Sequence, residues 1–212
     1  MRRGAFVTIE GLEGAGKSSC IATIASALSR HEIPFITTRE PGGTELGEGI
    51  RDILLASSES PMYPMTELLL MFAARYEHVE RVIEPKLNEG CWVICDRFVD
   101  SSYAYQGGGR GLELDVIETL EKISLADVSP DYTFVLDVPV NEGLKRAGGV
   151  GAPDRFEQEN IDFFDRARQV FLLRAKNNPK YCVVDAAKSE EEVQEAIREY
   201  LETFVSSFRE SR

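Results

Sequence analysis

The sequence has few basic residues for its length. Lysine and arginine account for 24 of 212 residues against 36 aspartates and glutamates, a formal net charge of −12. General nucleic-acid binding needs many lysines and arginines to displace counterions from phosphates, so this balance argues against it. A small phosphorylated substrate stays compatible with the charge, provided that a local group of basic side chains holds it.

Cysteine and histidine are also scarce, which argues against a structural zinc site. No two cysteines form a CxxC pair, and both histidines lie far from the cysteines in sequence. Two cysteines lie in the strand-like run CWVIC, where cysteine usually acts as a small buried hydrophobic residue. We expect reduced thiols, as in cytosolic proteins. The residues are Cys20, Cys91, Cys95, Cys182, His31 and His78.

Long apolar runs are absent. No window approaches the roughly 18 apolar residues of a membrane span. The N-terminal stretch MRRGAFVTIEG is too poor in apolar residues to resemble a secretory signal. We therefore expect a cytoplasmic protein with no membrane partner.

Five short apolar runs are present and alternate with helical patterns. This alternation predicts an α/β fold with a parallel, five-stranded sheet and helices on both faces. The length suits one domain, residues 1–212. The predicted strands are AFVTIE (5–10), PFITT (34–38), CWVIC (91–95), YTFVLDV (132–138) and YCVVDA (181–186).

Helical patterns and glycine clusters fill the segments between the strands. One helix is predicted from Gly16 to about Arg30, and another over roughly 66–88 with Pro85 kinking its end. Its predicted apolar face comprises Leu69, Phe72, Tyr76, Val79 and Ile83. A last helix, reaching about Phe208, starts at the capping-box pair Ser189 and Glu192. The stretches QGGGRG (106–111) and AGGVGAPD (147–154) are predicted to be mobile loops.

Residues 11–18 read G-x-x-x-x-G-K-S between a strand and a helix, which is the context of a phosphate-binding loop. Glycines let backbone N–H groups converge on phosphate oxygens, and the helix N-terminus adds its positive end. Lys17 is predicted to reach the β and γ phosphates, and Ser18 to ligate Mg²⁺. The predicted ATP-binding residues are Gly11, Leu12, Glu13, Gly14, Ala15, Gly16, Lys17, Ser18 and Ser19. A glycine-rich surface turn is the weaker alternative.

The pair Asp96 and Arg97 follows the third predicted strand. An acid at such a strand end, beside a phosphate loop, orients Mg²⁺ or its water. The guanidinium that follows can grip a second phosphate through two hydrogen bonds, which suggests an acceptor that is itself a phosphate. An ion pair that only caps the strand stays open as an alternative.

Several motifs together resemble the thymidylate kinase family of bacterial type, within the nucleoside monophosphate kinases that carry a phosphate loop. They are GLEGAGKS, REPGGT (39–44), FAAR (72–75), DRF..SS.AYQGGGRG (96–111) and DRFEQE (154–159), in the family's order and across essentially the whole chain. The resemblance implies transfer of the γ-phosphate of ATP to dTMP with Mg²⁺, a small mobile lid at about 147–156, and a homodimer.

The resemblance also implies roles for individual residues in dTMP binding. Glu13 would lie near the sugar 3′-hydroxyl and the acceptor phosphate, and Arg75 would hydrogen-bond the base beneath an aromatic platform. Many relatives place the stacking phenylalanine four residues before that arginine, where this chain has Met71, so Phe72 and Met71 are both candidates. The remaining implied contacts are Pro41, Arg97, Ser102, Tyr105 and Gln106, with Tyr105 excluding a ribose 2′-hydroxyl.

The catalytic arginine is missing from its usual places. Relatives without an arginine in the phosphate loop supply one from the lid, but this chain has Gly14 in the loop and Gly148, Gly149 and Val150 in the lid. We expect Arg155 to stabilise the charge of the transition state, with Arg146 near the adenine or as its substitute.

The expected catalytic residues are therefore Lys17, Asp96, Arg97, Arg155 and Glu13, with the metal held by Ser18 and Asp96. A kinase for another nucleoside monophosphate, or for a deoxynucleoside, is the alternative function. A regulatory GTPase is disfavoured because the sequence has no N-K-x-D motif.

Overall fold

Five parallel strands form one sheet in the order β2-β3-β1-β4-β5. The computed structural model describes residues 2–57, 60–125, 128–148 and 154–210. The strands are β1 (Phe6–Gly11), β2 (Phe35–Arg39), β3 (Trp92–Asp96), β4 (Tyr132–Asp137) and β5 (Tyr181–Asp185). Each predicted strand is present, with bounds that differ by one residue or less at each end.

The helices connect these strands and lie on both faces of the sheet. They are α1 (Lys17–Arg30), α2 (Glu45–Leu55), α3 (Pro64–His78), α4 (Glu84–Asn88), α5 (Val99–Ser102), α6 (Leu114–Leu125), α7 (Val140–Ala147), α8 (Ile161–Ala175) and α9 (Glu190–Glu210). Two π-helical segments, Val79–Ile83 and Tyr103–Gly109, continue α3 and α5. Among the described residues, no helix has the length and apolarity needed to cross a membrane.

The sheet has a hydrophobic core on each face because alternate strand residues point to opposite sides. Val7 and Ile9 pack with α1 and α9, while Phe6 packs with α3 and α6. All six residues of β1 are buried, as expected for a central parallel strand covered on both faces. Residues just beyond the carboxyl end of β1 are thereby fixed at the middle of one sheet edge, where parallel α/β folds bind ligands.

The long predicted helix at 66–88 is present but interrupted. It starts earlier, at Pro64, and the π-helical segment Val79–Ile83 directly precedes Pro85. Proline cannot donate the N–H of a regular helix, which is consistent with the irregular hydrogen bonding just before it. The predicted apolar face is wrong at Leu69 and Tyr76, which are 50% and 48% exposed.

The predicted mobile loop at 106–111 is wrong for most of its length. Its first four residues belong to the π-helical segment Tyr103–Gly109, where Gln106 is buried. The glycines there allow close packing: a Cβ on Gly109 would lie 2.3 Å from the ring of Phe163 on α8. Most of the second predicted loop, 147–154, lies outside the described residues.

The capping box at the start of α9 is confirmed. The backbone N–H of Glu192 donates to Ser189 Oγ at 3.3 Å, and that of Ser189 donates to Glu192 Oε2 at 3.1 Å. These reciprocal bonds satisfy N–H groups that a helix start leaves open.

Candidate active site

The phosphate-binding loop connects β1 to α1 at the carboxyl edge of the sheet. Gly11, Gly14 and Gly16 all have positive φ angles, of 138°, 70° and 89°, which glycine adopts without steric cost. No side chain of the described residues caps the start of α1. Its first N–H groups can therefore point to an anion.

Lys17 is folded back over this loop. Its Nζ donates to the carbonyl oxygens of Leu12 at 2.8 Å and Gly11 at 3.3 Å. Burial, together with the nearby Arg97, lowers the pKa of Lys17 to about 8. A phosphate that replaced these carbonyls would stabilise the charged lysine.

Gly14 contacts α7 so closely that no side chain fits in this conformation. A Cβ on Gly14 would lie 2.0 Å from the carbonyl oxygen of Gly143, and a Cβ on Gly143 would lie 2.7 Å from the carbonyl oxygen of Glu13. These distances are far below van der Waals contact, so the backbone of Gly143 requires glycine at position 14, and the backbone of Glu13 requires glycine at position 143. The contact explains why this loop carries no arginine at position 14.

Asp96 ends β3 next to β1, where its Cα pairs with that of Ile9. Its Oδ1 is buried, and no described residue donates a hydrogen bond to it. A buried carboxylate oxygen without a partner is unfavourable unless a cation or an ordered water meets it. Asp96 and the exposed hydroxyl-bearing Ser18, in the first turn of α1, therefore fit Mg²⁺, which prefers oxygen ligands.

Glu13 is not a solvated loop acid. Arg97 Nη2 donates to its Oε1 at 2.9 Å, and the hydroxyl of Tyr105 donates to its Oε2 at 2.8 Å. Arg97 Nη1 donates to the carbonyl oxygen of Gly11 at 2.9 Å. Burial raises the pKa of Tyr105 well above its usual range, so its hydroxyl stays a donor. The sequence did not predict this cluster, which joins the phosphate loop to the residues after β3.

Arg97 has an unusual backbone with φ at 69°, a conformation that residues other than glycine rarely adopt. Buried Glu10 fixes the segment that follows, because its Oε1 accepts from the N–H of Phe98 at 2.7 Å and its Oε2 from Ser101 Oγ at 2.7 Å. Such strain persists where the surroundings over-determine it, often at functional sites.

A cavity of about 220 Å³ opens beside this cluster. Seven of the residues expected to bind dTMP line it, and so does Met71. Phe72 instead packs in the core with Val79 and Ile83, so Met71 is the one of the two candidates at the cavity wall. The lining residues are Glu13, Glu40, Pro41, Arg51, Leu55, Met71, Arg75, Arg97, Ser101, Ser102, Tyr105, Gln106, Asp154, Phe156 and Glu157.

Arg51 is a lining residue that the sequence analysis missed. It lies on α2, which follows the REPGGT turn, and its Nη1 donates to the carbonyl oxygen of Pro41 at 2.9 Å. Burial lowers its pKa. The available signal was an arginine in the second turn of the helix that follows REPGGT, but an isolated helical arginine is usually solvated.

Arg75 is held deep in the cavity wall by three acceptors. Its Nε donates to Glu40 Oε2 at 2.6 Å, its Nη1 to Ser102 Oγ at 3.0 Å, and its Nη2 to the carbonyl oxygen of Phe98 at 3.1 Å. Possible metal ligands of Glu40, His78 and Cys95 lie within 4.8 Å of one another. The two carboxylate oxygens of Glu40 already accept from Arg75 or contact His78. These three residues are therefore better described as an ion-pair network than as a metal site.

The two candidate lid arginines lie in different surroundings. Arg155 Nη1 donates to buried Glu67 at 2.6 Å and its Nε to the carbonyl oxygen of Leu54 at 2.9 Å, so none of these bonds is with the phosphate loop. A buried carboxylate attracts such a cation strongly. Arg146 donates to the carbonyl oxygen of Ala186 at 2.7 Å and lies on α7, the helix whose residue Gly143 contacts the loop.

The chain is similar to known proteins along nearly its whole length. The family model described as thymidylate kinase matches residues 9–197. The chain is 51% identical to a thymidylate kinase of Alkalilimnicola ehrlichii, covering 97% of this chain and 96% of the relative, and 52% identical to one of Pseudomonas fluorescens, covering 97% and 99%. A crystal structure of thymidylate kinase from Ehrlichia chaffeensis superimposes with a TM-score of 0.74 at 31% identity, over 94% of this chain and 99% of that one.

Proposed function

The chain belongs to the thymidylate kinase family, and from this premise we propose that its cavity binds dTMP while the phosphate loop binds ATP. The enzyme is a nucleoside monophosphate kinase that phosphorylates dTMP to dTDP with ATP as the donor. One observation carries the assignment of the site: Glu13 belongs to the phosphate loop and also lines the cavity. The two nucleotides would then meet across a single residue.

The proposed chemistry is direct in-line transfer without a covalent intermediate, which depends mainly on positioning and electrostatics. Lys17 and the N–H groups of α1 would hold the donor phosphates. Arg97, fixed at φ 69° and already paired with Glu13, would hold the acceptor phosphate. Mg²⁺, held by Ser18 and Asp96, would neutralise charge on the phosphates of ATP.

The cavity wall also supports the proposed selection of the nucleoside. Arg75 and Gln106 present hydrogen-bonding groups for a base, and Met71 offers an apolar surface. Tyr105 has its hydroxyl bonded to Glu13 at 2.8 Å, which fixes its ring at the cavity wall, and its proposed role is to crowd a ribose 2′-hydroxyl. Pro41 and Ser102 complete the proposed contacts from the REPGGT turn and from α5.

A coupled assay of ADP release tests this assignment across dTMP, dUMP, UMP, CMP, AMP, GMP and thymidine. We expect a clear preference for dTMP, and Arg97→Lys should raise KM for dTMP more than KM for ATP, because lysine cannot replace a two-pronged guanidinium contact. A preference for another acceptor would refute the proposal. ADP release without any acceptor would favour an ATP-driven binding protein.

We further propose that the chain is one domain with a lid at about 147–156 that supplies the catalytic arginine. Arg155 can serve only if it leaves Glu67, whereas Arg146 already lies on the helix that touches the phosphate loop. Measuring kcat for Arg155→Ala and Arg146→Ala distinguishes them. The arginine that stabilises the transition state should lower kcat, whereas a variant that changes only KM excludes that residue.

A homodimer is also proposed, and the exposed apolar residues of α2 and α3 support it. Leu46 and Ile53 are each 56% exposed on α2, and Leu69 is 50% exposed on α3. Ile53→Glu should shift the molar mass from dimer to monomer in light scattering. Leu173→Glu on α8, which is 66% exposed, is the matched control and should leave the mass unchanged. A monomeric wild type would refute the proposal.

We also propose a cytoplasmic location, because all four cysteines are free thiols and reduced thiols are typical of the cytosol.

A further inference from the structure

Arg75 has a fixed number of donors left for a ligand. A guanidinium carries five N–H groups in a rigid plane and no acceptor. Three of them donate within the protein, one each from Nε, Nη1 and Nη2. The side chain is only 2% exposed, so the two remaining donors, one on each terminal nitrogen, are all that it can offer to the cavity.

Glu40 is the charged partner that fixes this plane. Its carboxylate is 3% exposed and lies 2.6 Å from Arg75 Nε. Unlike the hydroxyl of Ser102 and the carbonyl of Phe98, it is an ion and forms the strongest of the three bonds. If the carboxylate rotated, the guanidinium would lose its charged partner at Nε and keep only the two neutral acceptors.

His78 in turn fixes Glu40. The imidazole is fully buried, with Nδ1 3.0 Å from Glu40 Oε1 and Nε2 2.7 Å from Thr38 Oγ1. A neutral ring with its proton on Nδ1 donates to Glu40 and accepts from Thr38, which leaves Glu40 and Arg75 as a balanced pair of charges. A Cβ on Gly43 would lie 2.4 Å from Nε2, so the REPGGT turn closes over the ring and leaves it no room to tilt.

We propose that Glu40 and His78 are positioning residues that set the base selectivity of the enzyme through the orientation of Arg75. This inference rests on the proposed base-binding role of Arg75. Two donors held in one plane match a pyrimidine with an oxygen at position 4, such as thymine. They meet the amino group of cytosine donor to donor, which a fixed guanidinium cannot avoid.

The test compares kcat/KM for dTMP and dCMP in purified full-length variants. Glu40→Gln keeps the shape but removes the charge. His78→Gln loses the contact at Nδ1, whereas His78→Asn can place an amide nitrogen there and serves as the conservative rescue. Thr133→Val is the control for stability, because it removes the buried 2.9 Å bond between Thr133 and Thr8, away from Arg75. Arg75→Met tests the premise.

We expect Glu40→Gln and His78→Gln to raise KM for dTMP and to lower the dTMP-to-dCMP ratio by about tenfold, the scale of one weakened charged hydrogen bond. KM for ATP and kcat should change less than about twofold, since the donor site is untouched. His78→Asn should stay near the wild type. Thr133→Val should lower the melting temperature without changing the ratio.

Two results would overturn the inference and can be told apart from failure of its premise. One is an unchanged dTMP-to-dCMP ratio of kcat/KM in Glu40→Gln and His78→Gln, while Arg75→Met loses the preference for dTMP. The other is a loss of ratio in Thr133→Val as large as theirs. If Arg75→Met itself leaves the ratio unchanged, Arg75 does not recognise the base, and the proposed site fails together with the inference. Should Glu40→Gln not fold, the pair of His78 variants carries the same test.

Discussion

The acidic residue in the phosphate loop shows how a side chain can be fixed by partners that are distant in sequence. Glu13 accepts from Arg97 and Tyr105, which lie 84 and 92 positions further along the chain. The loop motif itself could be predicted, because glycine spacing and the flanking elements act locally. The partners of Glu13 could not be derived from local patterns, because only the sheet order brings them together.

Lys17 should make ATP binding depend on pH. Its pKa in the free enzyme is lowered to about 8, so it loses its proton above that pH and must regain it to pair with phosphate. The affinity for a non-hydrolysable ATP analogue should fall by up to about tenfold per pH unit above pH 8. Calorimetry from pH 6.5 to 9.5 measures this. Lys17→Arg keeps its charge, so an identical fall in that variant would contradict the prediction.

Asp96→Asn should lower activity and raise stability. The buried, unpartnered Oδ1 of Asp96 is unfavourable in the free protein, so removal of the charge should stabilise the fold by about 1 kcal/mol while kcat falls by about 100-fold or more. Thermal unfolding and steady-state kinetics measure the two effects.

Asp137→Asn is the matched control. That aspartate, at the end of strand β4 on the other side of β1, accepts from Arg168 at 2.6 and 2.9 Å, so the same substitution should destabilise. Equal effects of the two changes on stability would show that the free oxygen of Asp96 is of no consequence.

Among the elements, the strands followed directly from sequence and the glycine-rich segment at 106–111 did not. A buried parallel strand is a continuous apolar run, which is visible locally. Gly107 to Gly109 look like a loop for the same local reason, but α8 packs against them, and a Cβ on Gly108 would lie 2.9 Å from the carbonyl oxygen of Arg166. Glycine there serves close packing rather than mobility, and only the tertiary contact distinguishes the two. The choice between Phe72 and Met71 could not be made from sequence for a similar reason. A shift of one residue on a helix moves a side chain from the cavity, where Met71 lies, to the core, where Phe72 lies.

Gly143→Ala should displace the phosphate loop from α7. The new methyl would lie 2.7 Å from the carbonyl oxygen of Glu13, so either the helix or the loop must move. KM for ATP should rise by about tenfold, and the free energy of unfolding should fall by about 1–3 kcal/mol, as for other overpacked sites.

Gly49→Ala provides the control on α2. A Cβ at that position meets nothing within 4 Å, so alanine should stabilise the helix by about 0.5–1 kcal/mol and leave KM for ATP unchanged. If Gly143→Ala behaved like Gly49→Ala, the loop and α7 would not be in the contact described.

At the scale of the whole molecule, buried Glu10 should make stability fall as pH rises. Burial, then the charge of Asp100, raises its pKa to about 8 from 4.5. Between these values the native state holds a proton that the unfolded chain releases. The free energy of unfolding therefore decreases with pH across this window, by up to about 1.4 kcal/mol per unit.

Glu10→Gln should remove that dependence while it keeps an acceptor for the N–H of Phe98 and gains a donor for Ser101. Urea unfolding of both proteins from pH 5 to 8.5 measures the difference, which should grow in favour of the variant as pH rises. A difference that stays constant with pH would show that Glu10 keeps the same protonation state in the native and unfolded protein. Glu10 also orders the residues after Arg97 through its bonds to Phe98 and Ser101. The kcat of the variant therefore shows how much the active site depends on the charge of Glu10.

The backbone contact between Gly14 and Gly143 has a consequence for how such enzymes can diverge. An arginine at position 14 and a close-packed α7 cannot coexist, so Gly14→Arg alone does not lead from this arrangement to one in which the loop carries an arginine there. A lineage that made the change would first have to withdraw α7 from the loop, and Lys17 would be the loop's cation until the arginine was added. The glycine pair thus holds the chain to a design in which the arginine at the transferred phosphate comes from outside position 14, beside the lysine that the loop supplies.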